Sequence, residues 1–306
     1  MKQSADYMRN KPKADLEFTV AESSGLLEFL LLKLSGFSRN NVKSLLSHKE
    51  VLVDGHVVKQ YDYPLRKEQT VRIVRSANRG EKKKEQLKIL FEDQDLIVVN
   101  KPAGLLSIAT DDEKEKTAYH MVTDYVRKTG PNARIYVIHR LDRDTSGVLM
   151  FAKNERIKTA LQEQWESLVS LRGYVAVVEG RLEEKSGRIH SWLKQTNTLL
   201  VYSSKKAKDG LEAVTNYQVI RESAKYSMVN VQLETGRKNQ IRVHMKELGH
   251  PVAGDRKYGA LTDPLKRLGL HACKLELKHP FSDMLMCFEA EIPQSFTALI
   301  DRRDAD

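Results

Sequence analysis

A polar stretch of eleven residues, SANRGEKKKEQ at 76–86, sets the first constraint on how this 306-residue chain folds. Ala77 is its one apolar residue, Gly80 interrupts it, and no helical or strand period runs through it. Such a segment has nothing to bury and reads as a linker. The chain therefore divides into modules at 1–75 and 87–306. The charge divides unevenly as well. Residues 1–86 hold 17 Lys/Arg against 11 Asp/Glu, so +6 of the net +10 lies in the first part. A pI near 9.4 favours an anionic partner such as nucleic acid. No run approaches the roughly 18 apolar residues of a membrane span, and the N-terminus lacks the apolar core of a signal peptide. Cys273 and Cys287, the only cysteines, have no metal-ligand spacing, which argues against a disulfide framework or a zinc knuckle. The expectation is a cytoplasmic monomer with no membrane contact and no metal.

In the first module, Leu26, Leu27, Leu30, Leu31 and Leu34 recur at helical spacing, and Gly36 ends the run. Ser38 is placed to cap a second helix from Arg39 to about Lys49, with Val42, Leu45 and Leu46 as its buried stripe. VLVDGHVV then turns at Asp54-Gly55, a strong type I′ hairpin signal, and TVRIV supplies another strand. Arg39, Asn40 and Lys43 fall on the first turns of the second helix, off its apolar stripe. Exposed cations there suit phosphate contacts, though a solvated helix face has the same appearance.

The segment SRNNVKSLLSHKEVLVDGHVVK resembles the S4-type, or alpha-L, RNA-binding domain. It has Ser-Arg at the helix start, apolar residues along the helix, and a V-x-V-[ND]-G hairpin. The family usually carries glycine just before the first strand, where this chain has Lys49-Glu50. The resemblance spans about residues 15–75 and implies binding of structured RNA, with Arg39 and Lys43 as RNA contacts.

Beyond Leu87 the pattern is strand-rich. Strands are expected at 96–99, 135–138, 148–151, 174–178, 213–220, 228–233, 270–277 and 284–290, and helices near 118–128, 156–168 and 238–248. Strands outnumber helices and many follow one another directly, which points to an α+β domain with a mixed, mostly antiparallel sheet.

Three segments carry candidate chemistry. IHRLDRDTSGVLMF, 138–151, sets His139, Arg140, Asp142, Arg143, Asp144, Thr145 and Ser146 between two apolar strands, where rigid elements hold a polar loop. Arg140 and Arg143 lie close to Asp142 in sequence and favour its ionised form, as a nucleophile requires. His139, Asp142 and Ser146 are also the residue types of a hydrolase triad. They crowd into eight residues, however, and no G-x-S-x-G elbow surrounds Ser146. ETGRKNQIRVHMKELGHPVAGDRKYG, 234–259, opens a basic helix at Thr235-Gly236, and Arg242 in its first turns suits bidentate pairing with a carboxylate or phosphate. VNKPAGLLS, 99–107, reads as a strand end with a fixed bend.

Together and in this order, VNKPAGLL, HRLDRDTSGVLMFAKN, RGYVAVVEG and LETGRKNQIRVH with GHPVAGDRKYG resemble the RluA-type pseudouridine synthases, over about residues 87–295. The resemblance implies the pseudouridine synthase fold, with Asp142 as the essential catalytic residue and Tyr174 against the target base, where Tyr174 is expected to stack on uracil and assist removal of the C5 proton. It implies Arg242 paired with the catalytic carboxylate, Ile241 packed beside the base, and Arg140 tied to substrate RNA and base flipping. Two positions depart from the family pattern: Asn239 stands where histidine is common, and Ser107-Ile108-Ala109 follow KPAGLL. Both are read as bearing on RNA contacts and target identity rather than on the chemistry. The implied reaction converts uridine to pseudouridine and needs no cofactor. Large-subunit ribosomal RNA is the favoured target and transfer RNA the second. The rival reading is a non-catalytic RNA-binding or ribosome-assembly protein that keeps the fold.

Overall fold

The computed structural model describes residues 15–47, 49–74, 87–110, 113, 116–130 and 132–302. The chain forms two compact units, divided between Glu85 and Gln86. The expected linker at 76–86 lies outside the described residues.

In the first unit the leucine run forms the helix Leu26–Lys33, and Gly36, with φ of 99°, turns the chain away from it. Ser38 Oγ accepts the Asn41 N–H at 3.2 Å and starts the helix Arg39–Ser47, which buries Val42 and Leu46. Both helices share one core with a four-stranded sheet, ordered Leu16–Thr19, Thr70–Ile73, Val51–Val53 and His56–Val57. At the hairpin, Asp54 and Gly55 both take positive φ, 48° and 83°, as the Asp-Gly pair predicts. The Asp54 carboxylate then accepts the Thr70 N–H and the Gln69 amide, each at 2.8 Å, and fixes the neighbouring strand. Lys49, at the place where the S4-type pattern has glycine, adopts φ of 62°. The backbone turn is kept by a residue for which it costs roughly 1 kcal/mol.

The second unit is built on one eleven-stranded sheet. Its main path runs Val201–Ser204, Ser186–Gln195, Leu211–Glu222, Tyr226–Leu233, Val169–Glu179, Leu270–Lys278, Ser146–Ala152, Leu96–Lys101 and Lys88–Glu92. Leu285–Glu289 pairs with Leu270–Lys278, and Tyr136–Val137 with Ser146–Ala152. One pairing on this path is parallel, Ser146–Ala152 with Leu270–Lys278, and its neighbours are antiparallel. The fold is thus α+β with a mixed, mostly antiparallel sheet.

Ser146–Ala152 is buried along its whole length, and its alternation decides what covers it. Val148, Met150 and Ala152 face a cluster with Ile157 and Leu161 of the helix Glu155–Glu163. Leu149 and Phe151 face the opposite cluster, with Val122 and Val126 of the helix Ala118–Val126. Val148, Leu149, Met150 and Phe151 contribute about 2 kcal/mol each by leaving water, so this strand is a rigid mount for the loop before it. Gly147 has φ of 115°, and a Cβ there would lie 2.0 Å from the Ala272 carbonyl oxygen, so the parallel neighbour admits only glycine.

Several elements differ from expectation. The helix expected at 156–168 breaks at Gln164 into Glu155–Glu163 and Trp165–Leu168. The strand at 135–138 shortens to Tyr136–Val137. The strand Ser186–Gln195 and the helix Gln294–Asp301 form where none was expected.

Candidate active site

Two side chains from the VNKPAGLLS segment hold the HRLD loop in place. Lys101 is fully buried, and its ammonium donates to the carbonyls of Leu105 at 2.6 Å, Arg143 at 2.9 Å and Pro102 at 3.1 Å. Burial pulls the Lys101 pKa down to about 8 even though Asp144 and Asp142 oppose the shift. The buried Ser107 hydroxyl donates to the Leu141 carbonyl at 2.7 Å and accepts the Leu141 N–H at 3.0 Å. Residues 141 and 143 are therefore tied down on either side of Asp142. The segment is thus more than the expected strand end with a bend, because Lys101 and Ser107 position the loop.

Asp142, Arg140, Tyr174, Ile241 and Arg242 line one cavity of about 240 Å³, closed on its apolar side by Leu233 and Leu270. Tyr174 stands on the central strand Val169–Glu179 and packs against the clusters on both sides of it. Burial, with a contribution from the Asp142 charge, raises its pKa to about 12 against the opposing effect of Arg172. At neutral pH it is a phenol, which suits stacking and hydrogen bonding better than proton abstraction.

Arg242 departs from the implied pairing. Its guanidinium makes a bidentate ion pair with Asp255, Nε to Oδ2 at 2.6 Å and Nη2 to Oδ1 at 2.7 Å, rather than with Asp142. Nη1 donates to Asn239 Oδ1 at 3.0 Å, and the guanidinium lies 4.8 Å from the Tyr258 ring centre. Burial alone would lower the Arg242 pKa, but the bonds to Asp255 and the charges of Asp255 and Asp142 raise it on balance. Arg242 thus acts on Asp142 by charge across the cavity, and Asp255 fixes where that charge sits. Asn239 adopts φ of 56°, a left-handed conformation that asparagine tolerates, and its amide also donates to the Tyr258 hydroxyl at 3.0 Å. Its departure from the family pattern therefore bears on the arginine itself, not on RNA contacts alone.

The three triad residue types do not converge. Ser146 Oγ is bonded to His271 Nδ1 at 2.8 Å and to the Arg267 guanidinium at 2.6 Å. His139 Nε2 accepts the Met150 N–H at 3.1 Å, and its ring lies 5.3 Å from that of Trp165. Burial, helped by Arg172, depresses the His139 pKa to about 4, so it is a neutral structural group. In the first unit, Arg39 and Lys43 are exposed one turn apart, with the Lys43 ammonium 4.9 Å from the Tyr61 ring centre. Among the described residues, Asp255, Tyr258, Lys101 and Ser107 are the site residues that sequence reasoning missed. Each lay in a motif already singled out, but its role depends on a partner supplied by the fold.

Comparison with known proteins shows the family of the chain. A family model for RNA pseudouridylate synthase matches residues 95–247, which include Asp142, Tyr174 and Arg242. The RNA pseudouridine synthase YhcT of Bacillus subtilis is 37% identical over 68% of this chain and 69% of its own length. Ribosomal large subunit pseudouridine synthase D of Salmonella typhimurium is 30% identical over 88% of this chain and 87% of its own. tRNA pseudouridine synthase C of Haemophilus ducreyi is 35% identical over 71% of this chain and 96% of its own. Human RNA pseudouridylate synthase domain containing 4 shares the fold, with a TM-score of 0.57 at 23% identity over 69% of this chain and 90% of that one. The ordered motifs, the cavity they build and these similarities lead to one conclusion: this chain belongs to the RluA-type family of RNA pseudouridine synthases, isomerases that act on RNA.

Proposed function

We propose that this protein isomerises uridine to pseudouridine in structured RNA, with large-subunit ribosomal RNA as its target and Asp142 as its catalytic carboxylate. The observation that carries this reading is the meeting of Asp142, Tyr174, Ile241 and Arg242 in a single cavity. The reaction breaks the bond from ribose C1′ to N1 and forms one from C1′ to C5; C5 loses a proton and N1 gains one. No oxidant or added group is required, so the chemistry asks for a held base and a charged carboxylate. The uridine leaves the RNA stack to enter the cavity, with Arg140 at its mouth assisting that step. Asp142 then attacks C1′ or stabilises an oxocarbenium-like or glycal intermediate, as carboxylates do in glycoside chemistry. Tyr174 and Ile241 bracket the base while it turns. Arg242, aimed by Asp255, keeps a positive charge facing Asp142.

Ribosomal RNA is favoured because two of the matched relatives carry large-subunit names; one of these matches extends beyond the second unit into the first, whereas the other, like the match to the tRNA relative, is no longer than the second unit. We read the first unit as an S4-type RNA-binding module, with Arg39 and Lys43 on phosphates, and the protein as a cytoplasmic monomer taking part in ribosomal RNA processing. Among the described residues, no helix is long and apolar enough to cross a membrane.

Tritium release from RNA labelled at uridine C5 tests the reading. Wild type releases tritium, and Asp142→Asn releases none while still binding RNA. Undiminished release by Asp142→Asn refutes the assignment of Asp142. Silence of wild type on RNA it binds favours the non-catalytic RNA-binding protein.

A further inference from the structure

The strands Ser186–Gln195 and Val201–Ser204 are joined by a tight turn. The Leu199 N–H donates to the Thr196 carbonyl at 3.0 Å, the Thr196 N–H to the Leu200 carbonyl at 2.8 Å, and the Leu200 N–H to Thr196 Oγ1 at 3.1 Å. Leu199 has φ of 61°, a left-handed conformation that turns of this kind normally assign to glycine or asparagine. Its side chain gains little from folding in return, since 59% of the residue is exposed. The turn is nonetheless firmly held. Lys257 Nζ donates to the Leu199 carbonyl at 3.2 Å, and Leu200 and Val201 pack into the cluster around Tyr258. The Val201 N–H donates to the Tyr258 hydroxyl at 3.2 Å, the same oxygen that accepts from Asn239. The leucine is thus fastened to the wall that carries Arg242.

Strained backbone at an exposed, rigidly held position is a sign of function rather than of stability. Leu199 lines a groove of about 520 Å³ that also contains Arg140, Asp142, Lys238 and Lys257. Cations around one protruding apolar side chain match a polyanion with stacked bases. The lysines suit phosphates, and a leucine of this size fits between base steps.

We propose that Leu199 is an apolar wedge that occupies the RNA stack as the target uridine leaves it, a role that rests on the pseudouridine synthase reading above. Leu199 shares its groove with Arg140 and Asp142 of the HRLD loop. Its contribution is to the extrusion of the base and not to the bond exchange.

The test uses the full chain and total RNA labelled with [5-³H]uridine, prepared from cells lacking the enzyme. Leu199→Gly removes the wedge and relieves the backbone, so it folds at least as stably as wild type, which thermal melting checks. On RNA kept folded with magnesium, Leu199→Gly releases tritium about tenfold more slowly than wild type, the scale of a lost unstacking aid. On the same RNA melted by omitting magnesium, the deficit shrinks to about twofold or less. Leu199→Met retains the wild-type rate on both. Equal rates of Leu199→Gly and wild type on folded RNA overturn the wedge, as does an equal deficit on both RNAs. Release by neither wild type nor variant on either RNA overturns the isomerase reading instead, and the wedge with it.

Discussion

Replacing Asp255 by alanine leaves the Arg242 guanidinium without its carboxylate in a nearly closed setting. The arginine side chain is 12% exposed and the aspartate 1%, and both oxygens are engaged at 2.6 and 2.7 Å. Removing one partner of such a pair costs about 3–5 kcal/mol, because the remaining charge keeps its desolvation penalty and loses its compensation. Asn239 Oδ1 and the Tyr258 ring remain, and neither carries a charge. Against a typical stability of about 5–15 kcal/mol this is a large loss, visible as a clear fall in the urea midpoint. Tritium release measured where the variant is still folded also falls, since nothing then holds the guanidinium at its place facing Asp142. A second variant, Arg242→Met with Asp255→Leu, recovers most of the stability by replacing the pair with apolar groups, yet stays inactive. A cost below about 1 kcal/mol for Asp255→Ala, the scale of a solvent-screened surface pair, refutes a desolvated ion pair here. A double variant as unstable as the single one refutes it equally.

Gly147→Ala places a methyl group 2.0 Å from the Ala272 carbonyl oxygen on a backbone with φ of 115°. It is expected to destabilise the second unit by about 3 kcal/mol or more, and a normal thermal midpoint would contradict that. Burial depresses the pKa of His244 and His271 to about 4. The unfolded chain titrates near 6.5 and so binds more protons in between. Their contribution is present above pH 6.5 and is lost as pH falls through 4, up to about 3 kcal/mol for each histidine. Urea midpoints that stay flat from pH 7 to pH 4.5 would overturn it. Arg39→Ala with Lys43→Ala is expected to weaken RNA affinity and reduce the slope of log affinity against log salt by about 2. An unchanged slope shows that this helix leaves phosphates untouched.

What could be read from residue order alone follows the range of the forces involved. Asp54-Gly55 announces its hairpin because its positive-φ turn is a local requirement. Ser146–Ala152 announces itself because it is apolar throughout and buried on both faces. Ser186–Gln195 gives no such signal: SGRIHSWLKQ buries only Ser191 and Leu193 fully, and its strand character comes from its neighbour Leu211–Glu222. The motif residues of the cavity were legible as a resemblance, whereas their supports were not. Lys101 meets the Arg143 carbonyl 42 positions away, Ser107 meets Leu141 34 positions away, and Asp255 meets Arg242 13 positions away. Nothing local distinguishes a lysine that will bridge three carbonyls from one that will face solvent. The Arg242 pairing with Asp142 was expected wrongly for the same reason, since nothing local marks Asp255 as the carboxylate that meets the guanidinium.

Ser146, four positions after Asp142, is bonded to Arg267 and His271, 121 and 125 positions further on, and the strand it begins lies parallel to the one that carries His271. A contact of that span carries a large loop-closure cost and forms slowly. A nascent chain that has not yet emerged past residue 271 possesses the aspartate but not the platform beneath it. On the reading proposed above, turnover therefore waits until the chain has been made past residue 271, since Ser146 lacks its partners until then.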